Sequence, residues 1–196
     1  MKNRFSLLYQ KYMAFLEKNI PDHLTYHSYL HTKEVIEKVE LIAKTENVSK
    51  KELELIKVAA LFHDIGYIVQ NEEHESISCG IAKKELPHWG FSEEEIEEIC
   101  TTIMATKVPQ NPKNHLGEIL ADADLEYLGS DFFEKGSADL FQELKHGDPS
   151  LNEEKWLEIQ IEFLKEHRYH TPFCKSNREP KKHEHLKKLI QRKNQS

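Results

Sequence analysis

Side chains able to do chemistry gather at three places in this chain. The run Lys57-Val58-Ala59-Ala60-Leu61-Phe62-His63-Asp64-Ile65-Gly66-Tyr67 carries an apolar helical segment into an adjacent imidazole and carboxylate, and then a glycine. Core packing at that point favours leucine or alanine, because a buried charge is costly unless it is paired or bound to a metal. Successive helical residues point ~100° apart, so His63 and Asp64 share no stripe, yet they can bracket one ion from two sides. Upstream, His27 and His31 are four residues apart and stack on one face if a helix reaches back to them. Downstream, Asp122 and Asp124 interrupt the apolar run Glu118-Ile119-Leu120-Ala121-Asp122-Ala123-Asp124-Leu125.

Together these make two or three imidazoles and two carboxylates. Mixed nitrogen and oxygen donors suit a divalent ion such as Mn, Fe, Co, Ni or Zn, or Mg with help from substrate oxygens. Donors from well-separated helices are what a helical bundle uses to build a metal site in its core.

The elements that must position them read as helices. Phe5, Leu8, Tyr9, Tyr12, Met13 and Leu16 give helical spacing over residues 3–18, broken by Pro21. A second helix carries Val35, Ile36, Val39, Ile42 and Ala43. Ser49 with Glu52, and Ser92 with Glu95, have the spacing of capping boxes and predict helices that start there. Further helices are predicted over 71–86, 116–128, 131–145 and 152–167. Residues 171–180 read as loop and 181–190 as a short basic helix. Ile65, Tyr67 and Val69 alternate too briefly to make a strand. Glu93-Glu94-Glu95 and Glu97-Glu98 read as a solvated helix face that suits the positive helix N-terminus.

Length and composition set bounds. The chain has 196 residues, 31% charged and 38% hydrophobic, with only seven Gly and seven Pro. That suits one helical domain over 1–196 with a real core. No apolar run reaches the ~20 residues of a membrane span, and the apolar stretch within Met1–Gln10 is short for a signal peptide. Cys79, Cys100 and Cys174 form no CxxC, which argues for reduced thiols and a cytoplasmic setting. The net charge of −7 disfavours a polynucleotide partner but not a small phosphorylated one. A homodimer is compatible with all of this.

The ordered set His31, His63-Asp64 and Asp124 resembles the HD-domain superfamily of metal-dependent phosphohydrolases. Tyr26-His27 followed by Leu30-His31-Thr32 resembles the opening motif of the cyclic-nucleotide phosphodiesterases, a branch of that superfamily. Ala59 to Tyr67 resembles the second motif, and Ile119-Leu120 followed by Ala123-Asp124 the last. The resemblance spans roughly residues 24–129, which would hold the metal-site core, with 130–196 as a helical tail. It implies an all-α, compact bundle of HD-domain type. It also implies one or two divalent ions on His31, His63, Asp64 and Asp124, and His27 as the catalytic proton donor. Asp124 is preferred as ligand because Ile119 and Leu120 then fall on the family's apolar positions. Asp122 is the alternative, or else an acid that orients a ligand. No acidic pair follows His63-Asp64-Ile65, unlike the guanosine-tetraphosphate hydrolases. The His-His-Glu and Gly-Tyr-Pro set of the cyclic di-GMP enzymes is missing too.

The implied reaction is hydrolysis of a phosphate ester or anhydride on a small molecule, plausibly a nucleotide. A divalent ion would lower the pKa of bound water towards ~7 and stabilise developing phosphoryl charge. Asp64 could reach a second ion, and His27 has a pKa suited to protonating the leaving oxygen. His74, Lys107 and Arg168 are weaker candidates for contact with the substrate. The competing readings are a di-iron oxygenase, which would recruit His74 or His88, and a non-catalytic nucleotide-binding regulatory module. His183 and His185 read as solvated.

Overall fold

A computed structural model describes residues 4–195, so the predicted helix start at residue 3 lies outside the described residues, as do the two ends of the predicted 1–196 domain. Among the described residues ten α-helices follow one another: α1 (Arg4–Asn19), α2 (Tyr29–Ala43), α3 (Lys50–Phe62), α4 (His74–Glu85), α5 (Glu93–Ile103), α6 (His115–Asp124), α7 (Phe133–Gly147), α8 (Glu153–Glu166), α9 (Pro172–Asn177) and α10 (Glu179–Lys193). Short 3-10 turns occupy Ile65–Ile68, Leu86–Trp89, Met104–Thr106 and Glu126–Gly129. There is no strand among the described residues; the brief alternation at 65–70 falls in the first of these turns. No helix among them is long and apolar enough to cross a membrane.

Helix α3 is the axis of the fold. Val58, Ala59, Ala60, Leu61 and Phe62 are fully buried in succession, so its last turns are apolar all round. It packs against α1, α2, α5 and α6. The main core gathers Leu8, Leu16, Val39, Ile42, Ile56, Ile99, Ile103, Ile119 and Leu120 about it. Both capping boxes form: Ser49 and Glu52 open α3, and Ser92 and Glu95 open α5. A second core, on Leu128, Phe133, Leu157, Ile161, Leu164 and Leu189, joins α7, α8 and α10.

Four readings of the sequence need correction. Helix α2 begins at Tyr29, so His27 precedes it and does not stack on His31 along one helical face; the rings meet edge-on at 6.0 Å. Residues 171–180 are not loop, because Pro172 and Pro180 stand at first-turn positions, where proline starts a helix rather than breaking one. Glu95 is not simply solvated: the Arg4 guanidinium bonds both its oxygens at 3.1 Å and, against its partial burial, holds it down at about 2. His185 is buried, with its ring stacked on Phe133 at 4.5 Å and Nε2 3.0 Å from the Ser130 carbonyl.

Candidate metal centre

Three helix termini converge. His31 sits in the first turn of α2, His63 caps the C-terminus of α3, and Asp124 is the last residue of α6. One donor atom from each lies within 4.8 Å of the other two. His31 Nε2 is 2.9 Å from Asp124 Oδ1 and 3.5 Å from Asp64 Oδ2. His63 Nε2 is 3.1 Å from Asp64 Oδ2 and 3.6 Å from Asp124 Oδ1. Asp64 leaves the helix at φ −106°, ψ 3°, which turns its carboxylate back towards both imidazoles.

The tautomer of His63 follows from one bond. Its Nδ1 lies 2.8 Å from the Ala60 carbonyl, which can only accept, so Nδ1 carries the proton. Nε2 of the neutral ring is then a bare lone pair facing two carboxylates. His63 Nε2 and Asp64 Oδ2 are both buried and have no hydrogen-bond partner. Burial disfavours charge on His63, but Asp64 and Asp124 outweigh it and push the imidazole well up. Burial likewise opposes charge on Asp64, yet His63 and His74 hold it well below the usual carboxylate range. Asp124 is held down at about 2 by His31 and His63, again against burial. The field therefore calls for positive charge between these groups. A proton satisfies one pair of atoms, whereas a divalent ion could be shared by His31, His63 and Asp124, whose donor atoms lie within 4.8 Å of one another, with Asp64 Oδ2 beside both imidazoles. Donors ~2.1 Å from one ion lie ~3.0–3.4 Å apart in octahedral or tetrahedral arrangement. The four imidazole–carboxylate separations here, 2.9 to 3.6 Å, lie close to that range.

A second group of rings adjoins the cluster. Gly66 lets the chain pass so close to α4 that an added Cβ would lie 2.1 Å from the His74 carbonyl oxygen. That approach brings His74 Nε2 to 3.5 Å from Asp64 Oδ1 and 3.5 Å from Glu75 Oε1. Asp64 thus turns one oxygen to His31 and His63 and the other to His74. The Tyr67 ring stacks on His27 at 4.3 Å and on His74 at 4.0 Å. His27 Nδ1 lies 2.5 Å from Glu143 Oε1, and its Nε2 lies 3.1 Å from the Tyr67 hydroxyl. Glu143 is the functional candidate that the sequence reading missed. It comes from α7, far outside the matched motifs; the available signal was an acid on the helical stripe of Phe133, Ser137 and Leu140.

The remaining candidates separate. Asp122 does not orient a ligand: its carboxylate accepts from the His170 and Thr171 amides at 2.8 Å each and from the Thr171 hydroxyl at 2.7 Å. It ties α6 to the segment before α9. Lys107 lines the cavity over the cluster but is bonded to both Glu73 oxygens at 2.7 Å. Arg168 faces a separate cavity and donates Nη1 to the His167 carbonyl at 2.8 Å. His88 is exposed on the turn Leu86–Trp89 and is not among the residues lining the cavity over the cluster. The cavity that the cluster opens into has a volume of about 520 Å³.

Residues 29–127 match the HD domain family. Two solved structures share the fold. One is a predicted HD superfamily hydrolase from an uncultured Thermotogales bacterium, 23% identical, covering 79% of this chain and 86% of its own, with a TM-score of 0.54. The other is Bacillus subtilis YpgQ in complex with ADP, 17% identical, covering 96% of both chains, with a TM-score of 0.65. No curated protein sequence matches this chain.

Proposed function

Because this chain belongs to the HD domain family, we propose that it is a metal-dependent phosphohydrolase acting on a small phosphorylated molecule. His31, His63, Asp64 and Asp124 would hold the divalent ion. The observation that carries this reading is the buried Nε2 of His63 set against two carboxylates beside His31, an arrangement that a shared cation would relieve together. Such an ion supplies Lewis-acid activation of water and neutralises phosphoryl charge.

The chain's own residues supply the rest. His27 donates its Nδ1–H to Glu143, and the imidazolium, which Glu143, Asp64 and Asp124 favour, would carry a second proton on Nε2 that it can deliver to a leaving oxygen. Tyr67 keeps that ring flat against its own and orients Nε2 through the hydroxyl. Asp64 offers its second oxygen towards His74, and these two side chains would help to hold a second ion. The same observation sustains the di-iron oxygenase as the alternative, with His74 rather than His88 as the added ligand. ADP held by the B. subtilis protein supports a nucleotide as the substrate class. Cys79, Cys100 and Cys174 are free and buried, which favours a reducing compartment such as the cytoplasm.

The test is a panel of phosphomonoesters, cyclic nucleotides and nucleoside triphosphates, assayed with untagged protein and Mn, Mg, Ni, Co, Zn or Fe(II). Hydrolysis that collapses in both His63→Ala and Asp64→Ala supports the reading. Turnover that persists unchanged in both overturns it.

A further inference from the structure

The cavity beyond the cluster runs out between α7 and α8. Those helices touch through the Ser137–Gln160 hydrogen bond and the Phe141–Trp156 ring stack, and the cavity fills the gap that remains between them. The outer wall of the gap is Leu140, Leu144, Trp156, Ile159 and Phe163. Leu144 and Ile159 stay 42% and 46% exposed at its mouth. Large apolar side chains gathered at a concave opening mark a surface that something apolar covers. The polar pair on the same wall, Gln160 and Ser137, is hydrogen-bonded to itself.

The charges point the same way. Among the described residues, Lys107 is the one Lys or Arg lining the cavity, and Glu73 neutralises it. Asp64, Asp124, Glu73 and Glu75 line it too. A phosphoryl group at the cluster has a place for its charge. Second and third phosphates would meet hydrocarbon and carboxylates where recognition calls for Arg or Lys.

We propose, on the phosphohydrolase reading, that the substrate carries a single phosphate on an apolar or aromatic body. The phosphate lies at the His31–His63–Asp124 cluster, and the body lies between α7 and α8 against Trp156 and Phe163. In the reaction, the oxygen of water bonds phosphorus as the phosphorus–oxygen bond to the body breaks. The leaving oxygen takes a proton, giving an alcohol and inorganic phosphate. A nucleoside monophosphate and an aryl phosphate both have this chemistry, and the assay separates them.

The experiment uses the Mn-loaded full chain and two readouts. Binding compares 1-naphthylmethylphosphonate with methylphosphonate, neither of which can be hydrolysed at its carbon–phosphorus bond. Turnover compares AMP, 1-naphthyl phosphate and ADP. We expect the naphthyl phosphonate to bind at least about tenfold tighter than the methyl one. We also expect kcat/KM on the better monophosphate to exceed that on ADP by about tenfold or more. Ile159→Lys, at a half-exposed position, should weaken the naphthyl phosphonate and shift the monophosphate-to-ADP ratio about fivefold towards ADP. Equal binding of the two phosphonates, or ADP turned over as well as the monophosphates, overturns the proposal while leaving the hydrolase reading intact. Tighter naphthyl binding without turnover of any phosphate ester overturns the hydrolase reading and leaves the pocket assignment standing.

Discussion

Nδ1 of His27 lies 2.5 Å from Oε1 of Glu143, although 116 residues separate them in the chain. The other oxygen of the same carboxylate accepts the amides of Tyr26 at 2.9 Å and His27 at 3.0 Å. One side chain from α7 therefore fixes both the backbone and the ring tautomer of a residue that no helix holds. The stretch preceding α2 keeps its shape by this contact with the C-terminal half of the protein.

The consequence for catalysis is a displaced pH profile. Burial pulls the His27 pKa down, but Glu143, Asp64 and Asp124 outweigh burial and raise it. A proton donor works below its pKa, so activity falls as pH rises through that value. Glu143→Gln removes a negative charge and lowers the pKa, so the falling limb should move to lower pH. We expect kcat to drop by about tenfold or more at neutral pH. A pH–rate series on both proteins checks this; superimposable profiles would remove His27 from the proton-donor role.

Gly66 should tolerate no side chain. The Cβ of Gly66→Ala would fall 2.1 Å from the backbone oxygen of His74 and 2.8 Å from its carbonyl carbon. Backbone cannot rotate away as a side chain can, so the start of α4 must move. A stability loss of about 2 kcal/mol is expected, in the range of overpacked cores. His74 should also withdraw from Asp64, so binding of any second ion weakens before binding of the first. Denaturant melts and metal titration measure the two effects separately.

Asp122 and Asp124 should fail in different ways. Asp122→Ala removes the acceptor of three hydrogen bonds from residues 170 and 171 in a fully buried place. The two orphaned amides and the hydroxyl should cost about 3 kcal/mol. Asp124→Asn removes a charge that faces His31 and His63 and should abolish tight metal binding, with a far smaller effect on the metal-free fold. Chemical unfolding and metal titration of both variants would expose an interchange of these roles.

Stability should fall in mild acid. Burial, with Lys182, His170 and Arg168 nearby, pushes His167 down to about 3. Its Nδ1 lies 3.3 Å from the Lys182 ammonium and so accepts rather than donates. The folded state stays neutral there while the unfolded chain takes up a proton below ~6.5. The full contribution is present above that pH. It is lost as pH falls towards the folded value, by up to about 1.4 kcal/mol per pH unit. His167→Gln, which cannot titrate, should show a shallower slope between about pH 6 and pH 4. An unchanged slope in urea melts would refute this.

The parts of this protein set by local pattern were legible in its sequence. The apolar run of α3 and the capping boxes at Ser49 and Ser92 carry their own signals, and each formed. His63-Asp64 stood out because a core helix has no other use for that pair. What stayed hidden depends on distant partners. Asp122 looked like a neighbour of the metal site, but its partners lie 48 and 49 residues on. Glu143 carried no signal of its own within the predicted helix 131–145, because its partner His27 lies 116 residues away. His185 read as solvated because nothing local places it on Phe133. Residues 171–180 read as loop, because proline at a helix's first turn and proline past its last look alike without a boundary.

The account stands on His31, His63, Asp64 and Asp124 sharing an ion. Its most direct test is the metal content of untagged protein, reconstituted with Mn and dialysed, for the wild type beside His63→Ala and Asp124→Asn. The account predicts at least one tightly held ion per chain in the wild type and less than about a tenth of that in each variant, with both variants folded. Equal retention in all three proteins, or none in the wild type with any divalent ion, would contradict it.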